Sequence, residues 1–143
     1  MRLYLDTAYI AKCYLNEPDA GAVRQLAEEA DGLYSSNWCI AELSCIFLRH
    51  VRERRITRNE ARALREVFLA DIRSRAWNLV PLSERLLYKV EESLGQIPQS
   101  VYLRAGDAAH LVTARESGFE EVWSNDRHLL AAAGHFGLKG RSV

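Results

Sequence analysis

Short apolar runs alternate with longer stretches of helical periodicity along this chain, and no other feature narrows its fold as much. Arg2 to Leu5, Gly32 to Ser35, Trp77 to Pro81, Glu121 to Ser124 and Phe136 to Lys139 read as strands. Helical patterns cover Thr7 to Leu15, Asp19 to Ala30, Trp38 to about Arg54, Thr57 to about Arg75, Glu84 to Leu94, Gly106 to Ser117 and Arg127 to Ala133. Thr57 and Glu60 have the spacing of a capping box, in which each side chain satisfies a free amide of the first helical turn. Strands that alternate with helices predict a parallel sheet covered on both faces, an α/β fold. Ligands of such sheets gather where the strands end, so the residues just after each strand are the candidates for chemistry.

With 143 residues, the chain has the length of one domain spanning residues 1–143, long enough to bury a core without disulfide or structural metal. Cys13, Cys39 and Cys45 are odd in number and contain no CxxC pair, so we expect reduced, mostly buried thiols. Lys+Arg and Asp+Glu both total 19, which leaves no global basic excess; any nucleic-acid contact must be local. Asp6 and Lys12 interrupt what would otherwise be an apolar leader, and no later run approaches membrane-spanning length. A cytoplasmic protein with no membrane contact is expected. No internal repeat or low-complexity linker divides it.

Two aspartates follow predicted strands: Asp6 after Leu3-Tyr4-Leu5, and Asp126 after Val122-Trp123-Ser124-Asn125. Either could simply cap the next helix, a role worth about 1 kcal/mol, and Asp107 beside Gly106 admits the same reading. Their isolation argues for more. Asp6 is the only charge from Leu3 to Ala11, Glu42 the only one from Gly32 to Leu48, and Asp107 the only formal one from Ala105 to Ala114. Glu42 precedes Ile46 by one turn and Asp107 precedes Leu111 by one turn, which puts both carboxylates on apolar helical faces. Glu42 also lies too far inside its helix to cap it. Should the four carboxylates converge, their repulsion would raise some pKa values unless a cation neutralised them. Oxygen ligands without thiolate favour Mg²⁺ or Mn²⁺ over Zn²⁺, and such ions serve phosphate chemistry.

Leu5-Asp6-Thr7, Ala41-Glu42-Leu43, Gly106-Asp107-Ala108-Ala109-His110 and Ser124-Asn125-Asp126, in this order and spacing, resemble the motifs of the PIN-domain ribonucleases. Among them, the chain is similar to the VapC-type toxins of prokaryotic type II toxin–antitoxin pairs. The resemblance implies a three-layer α/β/α sandwich with a mainly parallel sheet of about four to five strands. It implies an acidic pocket of Asp6, Glu42, Asp107 and Asp126 that binds Mg²⁺, with Mn²⁺ as a substitute, and hydrolyses RNA. Thr7 and Ser124 stand where the family carries a hydroxyl residue that holds a carboxylate or metal-bound water; threonine is commoner at the Ser124 position. A homodimer silenced by a cognate antitoxin protein is the implied assembly. A housekeeping RNA-processing nuclease and a non-catalytic RNA- or protein-binding module are the alternatives.

Nine arginines face four acids between Arg49 and Arg75. This stretch reads either as an RNA-tracking surface or as a solvated hairpin with ion pairs such as Glu66 to Arg62. Leu64, Val67, Phe68 and Ile72 form a stripe expected in the core, and Trp38, Trp77 and Trp123 are expected in core or interface. His50, His110, His128 and His135 lack metal-ligand spacing, although His110, one turn after Asp107, could approach the pocket.

Overall fold

In the computed structural model, which describes residues 1–143, five short strands lie parallel in the order β3-β2-β1-β4-β5. They are β1 (Arg2–Tyr4), β2 (Gly32–Ser36), β3 (Trp77–Val80), β4 (Glu121–Trp123) and β5 (Lys139–Arg141). β1 pairs with β2 in the register Leu3 opposite Leu33, and β2 with β3 in the register Ser35 opposite Leu79. A bridge between Leu5 and Trp123 joins β1 to β4, and the Asp6 amide donates to the Trp123 carbonyl at 3.1 Å. The chain thus builds the sheet outward from β1 in one direction, then returns to its other side. That reversal opens a crevice between the carboxyl ends of β1 and β4.

Helices cover both faces. α1 (Thr7–Tyr14), α2 (Ala20–Glu28), α3 (Cys39–Arg52) and α4 (Arg58–Arg73) pack with Leu3, Leu5, Trp77 and Trp123. α5 (Glu84–Leu94), α6 (Ala105–Glu116) and α7 (Arg127–Ala132) pack with Tyr4 and Val122 on the opposite face. Alternation along β1 divides the core: Leu3 and Leu5 point one way and Tyr4 the other, all three at most 2% exposed. This is the α/β/α sandwich that the pattern and the motifs imply. No helix is long and apolar enough to cross a membrane.

Local chemistry starts the helices where expected. Asp6 caps α1 through the Tyr9 amide, Ser83 caps α5 through Leu86, and Asp126 caps α7 through His128 and Leu129. The Thr57 and Glu60 capping box forms in full at the start of α4.

Other expectations fail in detail. The last strand is Lys139–Arg141 rather than Phe136 to Lys139, because Phe136 is buried in a short 3-10 turn that Gly137 ends with φ +72°. The strand's apolar signal is correspondingly weak: Gly140 is needed where a Cβ would meet Leu130 Cδ2 at 2.9 Å. Of the cysteines only Cys39 is buried; Cys45 is exposed on α3, and all three are free. Val67 is about half exposed, since the core ridge of α4 narrows to Phe68 with Leu64 and Ile72 beside it; Trp38, at the open end of α3, is also about half exposed, which removes the core reading and leaves the interface one. The ion pair formed in this stretch is Arg55 with Glu53 rather than Glu66 with Arg62, as solvated side chains gain little from pairing.

Candidate active site

Four segments converge on the β1/β4 crevice. Asp6 and Thr7 leave the end of β1, Glu42 projects from the first turns of α3, Asp107 and His110 come from α6, and Ser124 and Asp126 follow β4. The resulting cleft has a volume of about 580 Å³ and includes Asp6, Thr7, Glu42, Asp107, His110 and Asp126 in its wall. Ser124 lies behind Asp6, fully buried. All six residues singled out in the sequence therefore occupy one locality.

Asp6 is the deepest acid. One carboxylate oxygen accepts the Tyr9 amide at 3.0 Å and the other accepts the Ser124 hydroxyl at 2.5 Å. Ser124 in turn accepts the Asp126 amide at 2.9 Å, which ties the ends of β1 and β4 together. Burial pushes the Asp6 carboxyl up to about 6, against the His110 ring, the Ser124 hydroxyl and the Tyr9 amide, all of which favour the carboxylate. So Asp6 carries both roles the sequence allowed, a helix cap and a buried acid.

Glu42 is held differently. The Thr7 hydroxyl donates to Oε1 at 2.7 Å, and the His110 ring lies 2.7 Å from the same oxygen. The other ring nitrogen of His110 meets the Tyr4 hydroxyl at 3.0 Å. A neutral imidazole satisfies these contacts together, with Nε2–H donating to Glu42 and Nδ1 accepting from Tyr4. Burial raises the Tyr4 pKa well above the usual phenol value, which keeps the hydroxyl a donor. Burial also pushes Glu42 upward, but the hydrogen bonds from His110 and Thr7 and the nearby Arg104 outweigh it and hold Glu42 below the usual carboxylate range. Gly106 lets this happen, because a Cβ there would stand 2.9 Å from Glu42 Oε2 and 3.3 Å from Trp38 Nε1.

Asp107 does not cap α6. The cap position belongs to Arg104, whose Nε donates to Asp107 Oδ2 and whose Nη2 donates to Asp126 Oδ2, each at 3.2 Å. Burial raises the Asp107 pKa, Arg104 opposes the shift, and Asp126 and Glu42 reinforce it. Repulsion among the acids is thus present but secondary to burial.

Two participants were missed or undervalued in the sequence. Arg104 lies one residue outside the charge-free window that flags Asp107, and its i,i+3 spacing to that acid was the available signal. His110 shares the face of Asp107 one turn on, yet its 1% exposure and its contacts across 68 and 106 residues of sequence are tertiary facts.

Cys45 and the His110 ring also line the cleft, but the four carboxylates and the Thr7 hydroxyl make oxygen its main donor type, which suits a hard divalent cation. A guanidinium bridging two carboxylates marks where positive charge belongs. The side chains are not drawn to a single ligation point: no three His, Cys, Asp or Glu residues form a cluster that could hold a metal in their present positions. Each acid is instead satisfied by a protein donor.

Three solved structures share this fold across nearly their full lengths. VapC20 of Mycobacterium tuberculosis, a toxin that cleaves the sarcin-ricin loop, is 19% identical with a TM-score of 0.71, covering 96% of this chain and 98% of that one. VapBC2 of Rickettsia felis, bound to a DNA fragment of its promoter, is 15% identical with a TM-score of 0.70, covering 100% and 99%. FitAcB of Neisseria gonorrhoeae is 16% identical with a TM-score of 0.64, covering 98% and 96%. No curated protein matches the chain in sequence. The PIN domain model matches residues 3–135, which span all four acidic motifs, and the chain therefore belongs to the PIN domain family.

Proposed function

We propose that this protein is a metal-dependent endoribonuclease that hydrolyses RNA phosphodiester bonds, and that it is the toxin of a toxin–antitoxin pair. The observation that carries this reading is the meeting of Asp6, Glu42, Asp107 and Asp126 at the crevice where the strand order reverses. Membership of the PIN family and likeness to toxin folds support it.

Asp6 and Asp107 are the principal ligands we assign to Mg²⁺ or Mn²⁺, with Glu42 and Asp126 completing the site. Bound there, the ion would polarise a phosphodiester and lower the pKa of a water. The chain's own groups do the rest. Ser124 and the Tyr9 amide fix the Asp6 carboxylate, so its oxygens are aimed before any ligand arrives. Thr7 and His110 orient Glu42 and keep it ionised, fit to accept a proton or align a water on the cleft side. No side-chain nucleophile is needed.

Single-domain organisation, a homodimeric state, cytoplasmic location and silencing by an antitoxin protein belong to the same proposal. One observation favours a second reading, a non-catalytic binding module: every cleft acid already has a protein partner. Purified protein freed of any copurifying antitoxin is therefore tested on total cellular RNA with Mg²⁺ or Mn²⁺, beside EDTA and Asp107→Asn. Cleavage at discrete sites is expected, with a loss of about a thousandfold in the variant, as removal of one ligand costs several kcal/mol of transition-state stabilisation. Absence of cleavage across many RNAs moves the binding module ahead, and cleavage that survives Asp107→Asn assigns the chemistry to another site.

A further inference from the structure

Arg104 is an unusual residue to find at the start of a helix. Caps are normally small polar side chains that accept amide protons, and a cation at the positive end of the helix dipole is disfavoured. The backbone of Arg104 takes the extended cap conformation, with φ −86° and ψ 159°, yet its side chain makes no capping bond. It reaches into the cleft, where its fork engages Asp107 and Asp126, which belong to different elements. Its position serves the two acids, not the helix.

The same contacts are loose. Both lie at 3.2 Å, longer than the usual 2.7–2.9 Å of a strong charge-assisted bond. The Arg104 side chain is 63% exposed, whereas those of Asp107 and Asp126 are 11% and 24% exposed. A half-solvated guanidinium can leave at small cost, but the acids it neutralises cannot.

We infer that Arg104 is a positioning residue that acts as an exchangeable internal cation: it holds Asp107 and Asp126 facing the cleft until a divalent ion takes their charge and displaces it. This rests on the metal-binding reading above. It predicts that metal affinity is set by competition inside the chain. The guanidinium and the ion neutralise the same carboxylates, so each weakens the other's hold by the same factor.

The full chain, Arg104→Gln and Arg104→Lys are titrated with Mn²⁺, following free ion by electron paramagnetic resonance, and each is melted with and without Mn²⁺. Arg85→Gln, which loses an ion pair to Glu116 on the far side of α6, is the control for a merely structural loss. Arg104→Gln is expected to bind Mn²⁺ about fivefold tighter, the low end of typical coupling because the group is exposed. Its metal-free form should melt lower and gain more from Mn²⁺ than the parent does. Arg104→Lys, with charge but no fork, should fall between the two, and Arg85→Gln should match the parent in Mn²⁺ affinity. Unchanged or weaker binding by Arg104→Gln overturns the inference while leaving the nuclease reading intact if the parent binds Mn²⁺ and cuts RNA. Failure of the parent and Arg104→Gln alike to bind Mn²⁺ overturns both.

Discussion

Helix α3 begins in one electrostatic world and ends in another. Near its start, Glu42 is partly buried, bonded to Thr7 and His110, and lowered in pKa. Two turns on, the helix enters the arginine-rich hairpin with α4, where Arg55 paired with Glu53 is the single ion pair among nine arginines and four acids. The cleft holds few charges, and apart from Arg49 at its wall each is fixed by named partners. The hairpin holds many, most of them facing water. Charge density alone therefore does not locate chemistry; the cost of desolvating a charge does, since a buried carboxylate requires partners and an exposed arginine does not.

Four perturbations test that contrast, beginning with the largest. Replacing His110 by alanine removes the donor to Glu42, strands the buried Tyr4 hydroxyl and opens a cavity beneath the cleft. Urea unfolding should show a loss of about 3 kcal/mol. A loss below about 1 kcal/mol would mean that the cleft is no more tightly coupled than the hairpin.

The second effect is a pH dependence of Asp6. Its folded pKa of about 6 exceeds the usual aspartate value of about 3.9, so the native state binds the proton more tightly than the unfolded chain. Asp6 therefore favours folding in acid and opposes it progressively as pH rises from about 4 to about 6, by about 3 kcal/mol in all. Glu42 has the opposite sign: its lowered pKa contributes stability above the unfolded value, lost as pH falls through the folded one. Metal-free parent and Asp6→Asn compared by urea midpoint across pH 4–7 should diverge, the variant gaining on the parent as pH rises. Parallel curves would remove Asp6 from the set of strained acids.

Thr57→Ala probes the capping box, a local polar device of the hairpin. It breaks the capping box of α4 and should lower stability by about 1 kcal/mol, read from the thermal midpoint. The smallest effect is expected at Arg62, where alanine should leave stability within about 0.5 kcal/mol. A larger loss there would show that the hairpin charges are structurally engaged after all.

Much of the site was legible because local and tertiary demands agree at particular residues. Asp6 and Asp126 stand at strand ends whichever way they are read, and both cap helices while facing the cleft. Glu42 betrays itself by being alone in apolar sequence inside a helix. Asp107 shows the limit: a cap was a fair local reading, but Arg104 occupies the cap and turns the acid toward Asp126. The final strand was misplaced for a related reason. Lys139-Gly140-Arg141 has no β signal of its own and is a strand because β4 offers it a parallel partner and Leu130 packs on its glycine.

What the sequence determined by itself was the set of local choices: the alternation that demands a covered parallel sheet, the caps that start the helices, and the scarcity of charge that marks Asp6, Glu42 and Asp107. These depend on periodicity and near neighbours, which any stretch of chain carries within itself. Only the tertiary structure decided which groups complete those acids. His110 reaches Glu42 and Tyr4, Ser124 reaches Asp6 across 118 residues, and Arg104 spans two acids, because the sheet order places β1 beside β4. Partners of that kind are selected by the energy of burying polar groups together, and burial is a property of the assembled layers.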